Sequence, residues 1–241
     1  GYGMMLANGC GARAVVLLGQ GNLRSFVVLL CLGISAYMTL TGLLAPLRLS
    51  LAKATFLPAH GFFEFEATTR WIAIGLLALA LLVFVFWQGS IFKHKKDLAS
   101  GLFVGLLITA GWWVTGWLGL DEFEPAPSAS FTFIAPIGET IQYSMISTGV
   151  RLGFGVTVMV GVVLGSFVAA KWSKTFRLQG FASPNDMLRY MGGGTLMGVG
   201  GALAMGCSIG QGLTGFSTLT YASMLAFAAM LLGARLALRK S

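Results

Sequence analysis

The chain has 241 residues, 56% of them hydrophobic and 10% charged, with 34 glycines and a mean hydropathy of +0.82. A soluble domain carries about 25% charged residues, so this composition lacks a polar shell and excludes a soluble enzyme, a disordered chain, a collagen and a disulfide scaffold. The net charge of +8 is spread over short loops between apolar runs, which orients a membrane protein; no basic stripe interleaves with aromatics, which argues against nucleic acid as a partner. The partner these numbers require is the lipid bilayer.

A bilayer core needs roughly 20 apolar residues in helix. In chain order the predicted spans are Ser25–Leu44, Trp71–Gln88, Leu98–Leu120, a long stretch within Thr140–Ala170, and Tyr221–Leu238. A sixth, Met187–Gly206, is apolar but dense in glycine, and reads as a close-packed or broken helix. Phe56–Phe65 is too short to span and is expected to lie in the interface or to dip in and return. The predicted fold class is all-α, a polytopic integral membrane helical bundle. It forms one membrane domain over 1–241. Residues 1–44 end a first repeat half; 45–241 hold connecting helices and a second half at 140–241.

Loop charges set the expected topology. Lys93, Lys95 and Lys96, then Lys171, Lys174, Arg177 and Arg189, then Arg235, Arg239 and Lys240 mark three cytoplasmic stretches, the C-terminus among them. Asp121–Glu139 holds four acids, no bases and three prolines, and is expected outside as a solvated loop. Arg48, Lys53 and Arg70 fall on a loop that the same parity also places outside, against the rule.

An internal repeat carries most of the argument. Residues 1–10 read GYGMMLANGC and residues 198–207 read GVGGALAMGC; at a shift of 197, six of the ten positions are identical, Cys10 and Cys207 among them. The apolar spans that follow the two motifs are the first and sixth of the series, so they run in opposite directions. That predicts pseudo-symmetric inverted repeats with short interrupted helices meeting near the midplane, where transporters place their substrate. The second motif follows a long hydrophobic block and the first follows nothing, so one or more helices are expected before Gly1.

GMMLANGCGARAVVLLGQGNLRSFVVLL, FGVTVMVGVVLGSF (154–167) and GGALAMGCSIGQGLTGFS (200–217) resemble the YeeE/YedE family of bacterial inner-membrane sulfur-transport proteins. The resemblance implies a permease that imports thiosulfate or a closely related sulfur anion along a central path lined by the motif cysteines, which match Cys10 and Cys207. It further implies the inner membrane as location and a small cytoplasmic sulfur-carrier protein of the TusA type as a partner.

The residues agree with that chemistry. A neutral thiol is a weak S–H donor and a soft, polarisable group, suited to pass a soft anion along, where a lysine would trap it; conduction needs sites weak enough to leave. Gly9 and Gly206 let backbone approach the path. Arg13, three residues after Cys10, shares its helical face and is a candidate either to recruit the anion or, since its repeat counterpart is Gly210, to anchor the topology at the interface. Gln211, with Ser208 and Thr214, is a candidate donor to thiosulfate oxygens, with packing or local backbone bonding as the alternative. Cys31 has no counterpart and reads as packing. No cysteine pair has disulfide or zinc-ligand spacing, and neither His60 nor His94 lies near a cysteine in sequence, so no metal and no cofactor are expected. No Ser/His/Asp set or paired intramembrane carboxylate is present, which argues against an enzyme. Three rivals remain open on the residues: a membrane sulfur-relay enzyme or subunit that forms a covalent cysteine persulfide, a transporter of sulfite, a selenium compound or a persulfide, and a purely structural membrane subunit.

Overall fold

The computed structural model describes residues 1–54, 95–118, 130–181, 183–218 and 220–240, with single positions from 72 to 83. The expected span at 71–88, the segment 56–65 and the acids at 121–124 fall wholly or mostly outside the described residues. The chain divides into two compact units. The smaller contains α5 (Lys95–Trp113), which continues as a π-turn at Val114–Leu118. Within it the hydroxyl of Ser130 donates to the carbonyl of Ile108 at 2.9 Å.

The larger unit holds α1 (Tyr2–Leu6), α2 (Gly11–Gly19), α3 (Leu23–Leu40), α4 (Ala45–Ala54), α6 (Ile134–Met145), α7 (Phe154–Trp172), α8 (Pro184–Leu203) and α9 (Tyr221–Lys240). Among the described residues four stretches are long and apolar enough to cross a bilayer: Leu23–Leu40, Lys96–Trp117, Phe154–Trp172 and Tyr221–Arg239. The protein is an all-α, multi-pass membrane protein. Among the described residues the only extended pairing is an isolated bridge between Asn22 and Gln179.

Burial separates the spans by role. In α3, 44% of the apolar window is buried, against 17% in α7 and 11% in α9. Leu32 and Ala36 of α3 are fully enclosed, as is Val15 of α2. By contrast Leu232 and Leu236 of α9 and Leu164 of α7 are mostly exposed, a surface that lipid tails solvate without penalty. The spine of the unit is therefore α3, gripped by α8, α6 and α2. Two of its buried hydroxyls are satisfied within the helix: Ser35 donates to the Leu32 carbonyl at 3.1 Å and Thr39 to the Ser35 carbonyl at 2.8 Å.

The sequence repeat is a repeat of backbone hydrogen bonds. At the end of α1, Ala7 N–H donates to Gly3 O at 2.9 Å, Asn8 N–H to Met5 O at 3.4 Å and Gly9 N–H to Met4 O at 2.8 Å. At the end of α8, Ala204 donates to Gly200 at 3.0 Å, Met205 to Ala202 at 3.3 Å and Gly206 to Gly201 at 2.9 Å, the same partners shifted by 197. This is the Schellman arrangement, which needs one residue in the left-handed region. Asn8 (φ 56°) and Met205 (φ 55°) supply it. Cys10 then extends (φ −79°, ψ 166°) as the N-cap of α2. The next bond is also shared: Ala14 N–H to Cys10 O at 3.0 Å and Gln211 N–H to Cys207 O at 2.7 Å.

The two copies point in opposite directions. A Cβ on Gly3 would meet Gly193 O at 2.7 Å and Met197 N at 2.9 Å, while one on Gly193 would meet Ala7 N at 2.7 Å. So α1 descends toward the start of α8 and runs antiparallel to it. Gly194 faces Val28 and Cys31, and Gly198 faces Leu32, Ser35 and Ala36, so α3 and α8 run parallel. Cys31 is thus packing against α8, in line with the sequence reading.

Two expectations change and one is narrowed. Met187–Gly206 is not broken at its glycines: Pro184–Leu203 is one 20-residue helix, capped by the Ser183 hydroxyl accepting from Asp186 N–H, and the break comes after it, at 204–207. The span expected within 140–170 is α7 (Phe154–Trp172), and residues 140–145 belong to a separate helix, α6, which ends at Met145. At 12 residues α6 is about 18 Å long, too short to cross. The loop expected at 121–139 ends early, because α6 starts at Ile134 with Pro136 in its first turn, where a missing N–H costs nothing. Glu139 accordingly leaves the solvated face. It is half-buried, with one carboxylate oxygen 3.0 Å from where a Cβ on Gly155 would lie.

Candidate functional site

Each motif turn faces a cavity. The first, of about 230 Å³, is lined by Cys10 with Asn8, Arg13, Asn22, Arg24, Gln179 and Tyr190. Its wall is largely polar and carries two guanidinium groups. The second, of about 210 Å³, is lined by Cys207 with Met4, Leu32, Ile134, Met197 and Met230, and by glycines of both motifs. It is largely apolar.

The cavities abut. Cys10 lines the first and its neighbour Gly11 the second; Val28 lines the first and Leu32, one helical turn further along α3, the second. The wall between them is therefore about 6 Å of helix deep at α3. Tyr190 and Met197 mark the same progression along α8. Cys10 and Cys207 do not share one chamber. They line two neighbouring cavities.

The two thiols differ in their surroundings. Cys207 is 2% exposed and its Sγ accepts from the Gly210 N–H at 3.2 Å, a side-chain cap on the short helical segment that follows. Cys10 is half-buried and makes no cap bond to α2. Arg13 takes the place that Gly210 has in the other copy. Its side chain lies over the first turn, with Cδ 2.9 Å from where a Cβ on Gly9 (φ 156°) would be, so a larger residue at 9 would push Arg13 aside.

Two of the other expected donors have backbone partners in the fold. Gln211 Nε2 donates to Ala204 O at 2.6 Å, and the stem of Gln211 covers the buried Gly206. Gln211 closes the second turn, and Thr214 donates to Phe131 O at 2.8 Å.

The mouth of the Cys10 cavity is built from residues far apart in the chain. Leu23 N–H donates to Gln179 O at 3.0 Å, Gln179 N–H to Gly21 O at 3.2 Å and Arg177 N–H to Gln20 O at 3.3 Å. Asn22 Nδ2 donates to Gln179 Oε1 at 3.3 Å, and Arg24 Nε to Gly180 O at 2.6 Å. The basic loop after α7 is thereby stitched to the turn between α2 and α3. Sequence reading singles out Arg13 but misses Arg24, Gln179 and Tyr190. Their only early signal is the cluster of bases at 171–177, which sequence alone reads as a topology marker.

A profile of a family described as sulphur transport matches residues 1–236. The chain belongs to the sulphur-transport family. It is 28% identical over 216 residues to the thiosulfate transporter TsuA of Escherichia coli (strain K12), an alignment that covers 82% of this chain and 59% of that relative. The chain thus spans well under two thirds of the relative's length. The profile takes in both cysteine turns, both cavities and the loop that closes the Cys10 mouth. Membership of the sulphur-transport family, the repeat and the multi-pass helical architecture therefore describe the same stretch of chain.

Proposed function

We propose that the protein is an inner-membrane permease that carries thiosulfate, or a closely related sulfur anion, inward through the Cys207 cavity and then the Cys10 cavity. The observation that carries this reading is the pairing of a thiol with each of two abutting cavities, on backbone turns that repeat bond for bond. Family membership supports sulfur as the cargo, and the relative's name supports thiosulfate.

The residues fit a two-ended anion. Arg13 and Arg24 offer planar forks that match sulfonate oxygens. The thiols offer soft, weak S–H contacts to the terminal sulfur, and neither binds tightly enough to hold the ion. The loop that closes the Cys10 mouth carries Lys174 and Arg177, so the positive-inside rule assigns that mouth to the cytoplasm, with the C-terminus on the same side. A cytoplasmic sulfur carrier of the TusA type would receive the ion there.

The direct test is uptake of labelled thiosulfate by proteoliposomes that contain the protein. Saturable uptake, competed by unlabelled thiosulfate, is expected; no flux would defeat the reading. A stable +32 Da adduct on Cys10 or Cys207 during turnover would instead favour a sulfur relay. Sidedness has its own measurement. A charged, membrane-impermeant thiol reagent is expected to label Cys10 from the cytoplasmic face several-fold faster than it labels the enclosed Cys207. Faster labelling of Cys10 from the outside would reverse the assignment.

A further inference from the structure

Arg48 shares with Lys53 and Arg70 a stretch where the positive-inside rule disfavours bases, and it stands out there because part of its guanidinium is buried. After α3 ends at Leu40 the chain turns into α4, and Arg48 reaches back over the end of α3. Its Nη2 donates to Leu40 O at 3.3 Å and its Nη1 lies 3.6 Å from Met205 Sδ. Met205 is the left-handed residue of the second motif turn, two positions before Cys207. The Nε of Arg48 is buried and has no hydrogen-bond partner. Among the described residues no carboxylate forms an ion pair with this guanidinium.

Capping the α3 carboxyl end explains one of the five N–H donors. It explains neither the retained charge nor a buried Nε with nothing to bind. The repeat explains both. The first turn has Arg13 folded over it, supplied by its own motif; the second has Gly210 at the matching position and no cation of its own. Arg48, from a helix outside the repeat, places a guanidinium beside that second turn. Each cysteine turn thereby has one arginine, brought there by different routes.

We propose that Arg48 recruits the anion at the Cys207 end, the counterpart of the role expected of Arg13 at the Cys10 end, and that it sets the affinity for a divalent sulfur oxyanion. The fork binds sulfonate oxygens and leaves the softer terminal sulfur free for the thiol beyond. The inference deepens the permease reading and rests on it.

The test compares uptake of labelled thiosulfate by proteoliposomes holding the native protein, Arg48→Gln or Arg48→Lys, across substrate concentration and ionic strength. Gln keeps an N–H for the Leu40 carbonyl and loses the charge; Lys keeps the charge and loses the fork. For Arg48→Gln the expected KM rises about tenfold, with a much smaller change in Vmax, and its dependence on ionic strength flattens. Arg48→Lys is expected to fall between. A KM in Arg48→Gln equal to the native one, or a fall in Vmax alone that tracks a lower unfolding midpoint, would overturn the role and leave only a helix cap. If Arg48→Gln does not fold, a native KM in Arg48→Lys overturns the role of the fork. Absence of uptake by the native protein would instead defeat the permease reading and take this proposal with it.

Discussion

Uptake of thiosulfate is expected to fall at least about a hundredfold when Cys10 and Cys207 are both changed to alanine, and about tenfold or more for either change alone. An alanine leaves a wall that offers the terminal sulfur no donor, and each lost stabilisation of about 1.4 kcal/mol at a barrier is a factor of ten in rate. Serine separates softness from hydrogen bonding. Its hydroxyl is a harder and stronger donor than a thiol, so Cys10→Ser is expected to remain impaired although its volume barely changes.

The two sites should also differ in stability. Cys207 caps a backbone N–H at 3.2 Å, and loss of a cap costs about 0.5–2 kcal/mol. Cys10 makes no such bond. Cys207→Ala is therefore expected to lower the unfolding midpoint in detergent, and Cys10→Ala to leave it almost unchanged. Full uptake by the double variant would remove the thiols from the mechanism.

Gly198→Leu is expected to prevent formation of the α3–α8 pair, leaving little monodisperse protein in detergent. A Cβ there would collide with Ser35 Oγ and the Leu32 carbonyl and lie 2.9 Å from Ala36 N. Most of those atoms are backbone in the middle of the central helix and cannot give way. Overpacking of this kind costs about 1–3 kcal/mol where side chains can adjust, and more where they cannot. The separation would also move Leu32, which lines the Cys207 cavity. Gly192→Ala is the matched control, since a Cβ at Gly192 meets nothing within 4 Å. It should be neutral or stabilise slightly, because alanine is the better helix former by about 0.5–1 kcal/mol. A well-behaved Gly198→Leu protein with a native unfolding midpoint would show that α3 and α8 do not approach this closely.

Gly192, Gly193 and Gly194 show where sequence stops being informative. They are consecutive and chemically identical, yet the first faces open space, the second the backbone of α1 and the third the backbone of α3. Small residues in a membrane helix announce close packing. Which helix approaches which glycine depends on partners more than 160 positions away in the chain.

The sequence by itself determined the membrane class, because composition dictates the solvent a surface can face. It also determined the paired turns, because each is closed by hydrogen bonds that span no more than five residues, from Gly3 to Gly9 and from Gly200 to Gly206. Local bonds leave local signatures, and Asn8 and Met205 adopt the same left-handed backbone with no residue identity in common. Only the tertiary structure decided that the two thiols face successive cavities, that Gln211 is consumed in closing its own turn, and that α6 is a short helix rather than part of a span. The polar mouth at Arg24 and Gly180, and the guanidinium that Arg48 lays against Met205, join residues 156 and 157 positions apart. Contacts at that separation leave no periodicity and no motif to read, since they are fixed by how helices α3 and α8 pack and not by anything either segment encodes alone.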